Sequence, residues 1–382
     1  MPRKKRSAAA GYRPPDFTSP KLVHAPAART LPAEADGVLP DGFFATTNLP
    51  TYVKNVDGSW AMPREPRMDA VLVLAADGTW WAREGRRVKR GDAVVVGLAE
   101  DGSEGVLVHS NGFAETDTTA GDFHFMQSQV SREKPIDYAL LARMLVEEKR
   151  RGGYIVWVAG PALVHSRARE NMVWFVRNGF VQALLAGNAV AVHDIEAAVV
   201  GTTLGMTASG APTVGGHSAH MRAINAVRRA GSIAAAVQAG TIQNGIMHAC
   251  VVEGIPSVLC GSIRDDGPLP DVITEVIAAQ DAMRAHTVKA TMAVMLATAL
   301  HSIAVGNMLP AYYEDAKRGI CELPTISVDA SEFLVSKLKD RGTHQAVGVV
   351  TNAQDFMSIL RAAVEEAVRV GGTGRGASRA GA

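Results

Sequence analysis

Residues 154–160 read YIVWVAG, five consecutive apolar side chains held between Tyr154 and Gly160 and preceded by the glycine pair Gly152-Gly153. A strand with almost no polar residue must be covered on both faces, which is the situation of a central strand in a parallel sheet. The residues before it, PIDYALLARMLVEEKRRGG (135–153), carry apolar side chains at helical spacing, a basic last turn and a glycine stop at Gly152. They predict an amphipathic helix leading into the strand. Working outward, a helix is expected over 170–178, then the apolar stretch VQALLAG (181–187) with a strand AVAV (189–192) behind it. PSVLCG (256–261) and QAVGVVT (345–351) read as further strands with helical segments between them. This alternation predicts an α/β fold, a Rossmann-like parallel sheet over residues 132–370.

The preceding region has a different rhythm. MDAVLVLAADGTWW (68–81) and RVKRGDAVVVGLAEDGSEGVLVHS (87–110) are short apolar runs separated by turns at Asp77-Gly78, Gly91-Asp92 and Asp101-Gly102. They predict a smaller β-rich domain over 37–131. Residues 1–36, rich in Pro, Ala and basic side chains, read as a disordered lead-in, and 371–382 as a flexible tail.

The 382 residues hold 39 Lys+Arg against 38 Asp+Glu, a net charge of +1, so charge gives no sign of a nucleic-acid or membrane partner. Residues 290–313 lack Asp, Glu, Lys and Arg, but Thr291, Thr298, His301, Ser302, Asn307, Gly306 and Pro310 interrupt them. One buried helix running into a loop explains them better than a membrane span. The basic N-terminus has no apolar run of signal-peptide length behind it. Cys250, Cys260 and Cys321 make neither a disulfide framework nor a zinc spacing, which fits a reducing, cytoplasmic setting. His217 and His220, three apart after Gly215-Gly216, lack a third ligand at convincing spacing, so no metal site is expected.

Ligands of open parallel sheets bind at the carboxyl ends of the strands. Four segments put polar residues there: AGPALVHS (159–166), AGNAVAVHDIE (186–196), GSIRDDGPLPD (261–271) and ATALHSIAVGNMLP (297–310). None contains the GxGxxG dinucleotide fingerprint.

Together with DGVLPDGFFATTNLPT (36–51), GTTLGM (201–206) and KLKDRGTHQAVGVVT (337–351), these strings resemble the archaeal-type ornithine cyclodeaminases. That family is related to the C-terminal part of the cyanobacterial arginine dihydrolase/ornithine cyclodeaminase proteins. The resemblance implies an enzyme that holds NAD in a Rossmann-type domain without the glycine fingerprint and converts L-ornithine to L-proline and ammonia. Carried over by motif, it implies NAD contacts at Asn188, Ala189, Asp266, Thr298, Leu300, His301, Asp329 and Asp340. The acidic members of that set imply NAD rather than NADP. This chain departs from the family at VDAS (328–331) and at Asn352, where relatives carry VDINP and an aspartate.

Such chemistry needs proton transfer at the substrate ammonium and groups that hold its two nitrogens and carboxylate. His193, Asp194 and Glu196 put an imidazole beside two carboxylates, suited to proton transfer and ammonium binding. The competing reading has both carboxylates capping and salt-bridging a helix. Arg264 and Asp265 could hold the substrate carboxylate and ammonium, or close their own loop as an ion pair. His217, behind two glycines, is a candidate on a closing loop. A homo-oligomer is expected, with 290–309 as interface or core.

Overall fold

Ile155–Ala159 is a strand in which every residue is buried, as its composition requires. It lies in a computed structural model that describes residues 12–113, 136–207, 210–213, 216–265, 267–341 and 346–373. The chain divides into two units. One comprises residues up to Arg132 together with Asn307–Pro324; the other runs Glu133–Gly306, Thr325–Arg341 and from Ala346 on.

The smaller unit begins with α1 (Pro20–Val23), β1 (Thr30–Pro32), β2 (Thr51–Lys54) and β3 (Trp60–Ala61). It continues with β4 (Val71–Leu74), β5 (Trp80–Arg83), β6 (Ala93–Val95) and β7 (Val106–Val108). These form two antiparallel sheets, β1-β6-β4-β5 and β3-β2-β7. Phe44, Val53, Leu72, Trp80, Val95 and Val106 meet as a core. The expectation of disorder over 1–36 is corrected for residues 12–36. β1 pairs with β6, and the buried Lys54 ammonium donates to the carbonyls of Leu22, Val23 and Ala25, each at 2.8 Å. A segment with no apolar period is ordered by partners remote in sequence; residues 1–11 lie outside the described set.

The larger unit opens with α2 (Tyr138–Arg150), β8 (Ile155–Ala159), α3 (Ala162–His165), α4 (Arg169–Arg177) and β9 (Ala183–Gly187). Then come α5 (Asn188–Val199), α6 (Ala219–Ala230), α7 (Ile233–Gln238), α8 (Ile246–Val252) and β10 (Ser257–Cys260). α9 (Val276–Thr287), β11 (Met292–Leu296) and α10 (Ala299–Met308) follow. The antiparallel hairpin of β12 (Tyr312–Asp315) and β13 (Gly319–Glu322) belongs to the smaller unit, so the second domain is not the unbroken 132–370 expected. β14 (Thr325–Asp329), α11 (Glu332–Arg341), β15 (Ala346–Val350) and α12 (Ala353–Thr373) complete the chain. α12 runs through Gly371, the expected start of the tail; residues 374–382 and the expected boundary at 131 lie outside the described residues.

The six strands of the larger unit are all parallel, in the order β10-β9-β8-β11-β14-β15. Counted along this unit the order is 3-2-1-4-5-6, that of a dinucleotide-binding Rossmann sheet. The order reverses between β8 and β11, so the topological switch point lies at Gly160 and Ala297.

Two expected elements differ. AVAV (189–192) is not a strand but the start of α5, and the strand is the preceding ALLAG. α5 buries Val190, Ala191, Val192, Asp194, Ile195 and Glu196, so it lacks the polar face that marks a surface helix. The 290–313 run is not one helix either: it is β11, a reversal at Ala297 with φ 54°, and then α10. A left-handed alanine carries no Gly or Pro marker, so the break is silent in sequence.

Candidate functional site

At the switch point the ends of β8 and β11 are in direct contact. Gly160 donates its amide to Leu296 O at 2.8 Å, and a Cβ at position 160 would lie 1.8 Å from Ala297 O. Only glycine allows this approach. Just beyond, Thr298 Oγ1 and His301 Nδ1 lie 3.3 Å apart. Burial lowers the His301 pKa, with the Asp265 charge acting against it. His301 also reaches the end of β9: a Cβ on Gly187 would lie 2.9 Å from its Cε1. The structure thus places Thr298 and His301 beyond β11 and Asn188 and Ala189 beyond β9, with β8 between them and His301 reaching across, and Leu300 is exposed.

These residues suit a dinucleotide. α5 starts at Gly187 with no side chain capping its first amides, which leaves a twelve-residue helix N-terminus for an anion. α3, which follows the first strand where such sheets usually hold pyrophosphate, has only four residues and Pro161 at its N-cap. The anion-binding role therefore fits the second helix better, and the missing GxGxxG has a structural reason. Asn188 Oδ1 accepts from Leu269 N at 3.1 Å, which ties α5 to the loop after β10. Asp329 ends β14, its carboxylate accepting from Ser331 N at 2.9 Å. Asp266 and the side chains of Asp340 and His217 lie outside what the structure describes.

His193, Asp194 and Glu196 sit on α5, not at a strand end, and their roles divide. Asp194 is fully buried; it accepts from Arg169 Nε at 2.6 Å and from the amides of Ile246 and Met247 at 2.9 and 2.8 Å. It caps α8 and neutralises Arg169, so the capping alternative describes it and no face remains for substrate. Glu196 is also fully buried and accepts from Thr202 Oγ1, Gly205 N and Leu204 N at 2.9, 2.9 and 3.2 Å, folding the GTTLGM segment onto α5. Its Oε2 lies 3.1 Å from His193 Nδ1. Burial alone would raise the Glu196 pKa, but the bonds from His193, Gly205 and Thr202 hold it below the usual carboxylate value.

His165, at the end of α3, was not singled out from the sequence. Its ring meets that of His193 edge-on with centroids 4.4 Å apart, and its buried Nδ1 has no hydrogen-bond partner among the described residues. Burial, then the neighbouring His193, pushes its pKa down to about 4, with Glu196 opposing. The one sequence signal was its place five residues after the glycine that ends β8. His165, His193 and Glu196 form a line from the loop after the first strand into α5.

Arg264 and Asp265 belong to the loop after β10, the edge strand, two strands away from the switch point. Asp265 Oδ2 accepts from Ser262 N at 2.7 Å, and no ion pair joins it to Arg264 among the described residues. A larger open hollow of about 530 Å³ on the smaller unit is lined by Lys21, Asp101 and His109 among others. Lys21 and Asp101 already pair at 2.8 Å, and the lining residues all belong to the smaller unit.

Fold and site together define a Rossmann-type dinucleotide-binding unit joined to a small antiparallel β unit. Residues 139–360 match the family described as arginine dihydrolase ArgZ-like, C-terminal, Rossmann fold, and residues 50–140 match its C-terminal first region. The chain is 45% identical to an ornithine cyclodeaminase of Methanopyrus kandleri over 353 residues, 91% of this chain and 80% of that protein. It is 38% identical to the bifunctional arginine dihydrolase/ornithine cyclodeaminase AgrE of a Nostoc species, over 87% of this chain and 46% of AgrE. Among solved structures, a LOR/SDH protein from Methanococcus maripaludis superposes with a TM-score of 0.79 at 41% identity, covering 89% of this chain and 98% of that one. AgrE solved with ornithine and NAD+ gives 0.56 at 35% identity, over 90% of this chain and 46% of AgrE. The chain belongs to the ornithine cyclodeaminase family.

Proposed function

We propose that this protein is an NAD-dependent ammonia-lyase that converts L-ornithine to L-proline and ammonia. The observation that carries the reading is the match along 91% of the chain to an ornithine cyclodeaminase, on a sheet whose strand ends suit NAD. NAD, when bound, accepts hydrogen from the substrate α-carbon and returns it after the δ-nitrogen has closed the ring with loss of the α-nitrogen as ammonia. The residues of this chain have three tasks. The amides of Asn188 and Ala189 at the start of α5 hold the pyrophosphate. Thr298, Leu300 and His301 line the nicotinamide side, with Asp329 on a ribose.

His193 moves the proton of the substrate ammonium. Glu196 accepts from its Nδ1 and so fixes the tautomer that leaves Nε2 as base, while His165 stays neutral beside it. Asp194 is left out of the chemistry on burial, and Arg264, on the loop after the edge strand, on position. His217, on the 3-10 turn Gly216–Ser218, is retained as a loop candidate for closing over the substrate.

No helix among the described residues is long and apolar enough to cross a membrane. Cys250 and Cys260 are buried, with pKa values that burial raises to about 12 and about 11, so both thiols are protonated and unreactive at neutral pH. Within 290–309, β11 is a central strand of the sheet and so is core rather than interface, which leaves only α10 to support the homo-oligomer reading.

The test is L-ornithine with catalytic NAD, scoring proline, ammonia and the nicotinamide absorbance. Proline and ammonia in equal amounts with no build-up of NADH support the reading; NADH rising in proportion to product would make the protein an ordinary dehydrogenase. His193→Ala should abolish turnover while NAD still binds.

A further inference from the structure

Three consecutive residues, His165, Ser166 and Arg167, each carry a cost that nothing in the chain offsets. His165 Nδ1 and Ser166 Oγ are shut off from solvent with no hydrogen-bond partner among the described residues. Arg167 takes φ 63° without being glycine, and its exposed guanidinium has no partner among the described residues. The backbone of the turn is closed in the ordinary way, Ser166 N donating to Ala162 O at 2.9 Å and Arg167 N to Val164 O at 3.2 Å. Its side chains are what is left over. Unpaired buried groups and left-handed residues other than glycine gather where a ligand completes the structure.

Position and chemistry narrow the ligand. The turn follows α3, and the His165 ring lies against His193 with centroids 4.4 Å apart. His193 is the residue assigned above to the ammonium of the substrate. In an α-amino acid the ammonium and the carboxylate sit on the same carbon, so whatever holds the carboxylate must stand beside His193. Arg264 is on the loop after the edge strand, and Arg169 is committed to Asp194, Glu170 and Asn244. The turn supplies donors in their place: an N–H of the neutral imidazole, the serine O–H and a planar guanidinium fork. His165 and Ser166 are partly exposed, so a half-turn of the ring and a rotamer step of the hydroxyl bring both atoms to the open side.

We propose that the His165–Ser166–Arg167 turn binds the α-carboxylate of the substrate, with Arg167 supplying the charge. The inference rests on the ornithine reading above and supplies a partner for the one charged group that reading leaves unheld. It also sets a specificity: an α-amino acid fits the turn, and the corresponding diamine without a carboxylate does not.

Two variants test this without disturbing the fold. Ser166→Ala deletes a buried hydroxyl that bonds nothing, and Arg167→Gly relieves a left-handed backbone, so neither should lower the unfolding temperature. Inhibition of L-ornithine turnover is then measured with L-proline and with pyrrolidine, the same ring without the carboxylate. L-proline should be the tighter inhibitor of the wild type. In each variant that advantage should fall about tenfold, with KM for L-ornithine rising to match and NAD affinity by calorimetry unchanged. An advantage that stays as in the wild type in both folded variants overturns the subsite. Weakened NAD binding would give the turn to a cofactor phosphate, and a lowered unfolding temperature would make it a structural element; either overturns the proposal. A wild-type protein that forms no proline from L-ornithine overturns the ornithine reading and this inference with it, a result distinct from the others.

Discussion

His165 and Glu196 flank His193, and each is coupled to folding through its proton. The His165 pKa is depressed from 6.5 to about 4, so it is neutral in the folded chain while the unfolded chain takes up a proton below 6.5. The unfolded state therefore binds more protons in that window, and the stability is full above pH 6.5 and lost as pH falls toward 4. Glu196, also depressed, acts in the same direction at the acid end. Urea unfolding from pH 7 to 4 should show a loss on the order of 2–3 kcal/mol from His165, which His165→Asn should flatten. An unchanged slope in that variant would separate His165 from the acid sensitivity. Asp194 belongs to a different class of residue. Asp194→Ala strips the cap from α8 and leaves Arg169, 13% exposed, without its main partner, so it should cost about 3–5 kcal/mol in urea unfolding. Full stability with lost turnover would instead return Asp194 to the chemistry. The sequence set these three side by side as HDIE; which of them faces another helix is decided by the helical turn, not by their order.

β8 was readable because five buried residues in a row, closed by a glycine, fit few other structures. β9 and α5 were not, since the one polar residue of LLAGNAVAV, Asn188, follows a glycine and reads as well as a turn before a strand as it does as the start of a helix. β11 and α10 were merged for a similar reason, the turn between them being made by Ala297 in a left-handed conformation. Residues 12–36 carry no local mark of order because what orders them, β6 and the Lys54 ammonium, comes from later in the chain. The junction of β8 and β11 makes its own prediction. Gly160→Ala drives a methyl into the Ala297 carbonyl, and since that oxygen is backbone and Cβ has no rotamer freedom to avoid it, the strands must part. The expected cost is about 1–3 kcal/mol of stability with a weaker NAD affinity measured by calorimetry. Unchanged affinity in the folded variant would remove the switch point from the cofactor site.

The parallel order of six strands, with its reversal between β8 and β11, places Thr298 and His301 beyond β11 and the start of α5 beyond β9, on either side of β8, with His301 reaching across to Gly187. Legible too was the absence of a glycine fingerprint; the reason for it, a four-residue α3 and a twelve-residue α5, required the fold. Invisible in sequence was the place of Arg264 and Asp265 beyond the edge strand β10, because strand order is not strand sequence. The central claim is that hydrogen leaves and returns to the same substrate carbon within one site. L-ornithine deuterated at the α-carbon, turned over with catalytic unlabelled NAD, tests this by mass spectrometry and NMR of the product. The account predicts proline that retains the deuterium at C2 in full, with none in the free NAD pool; proline that has lost it to the pool or to solvent would contradict it.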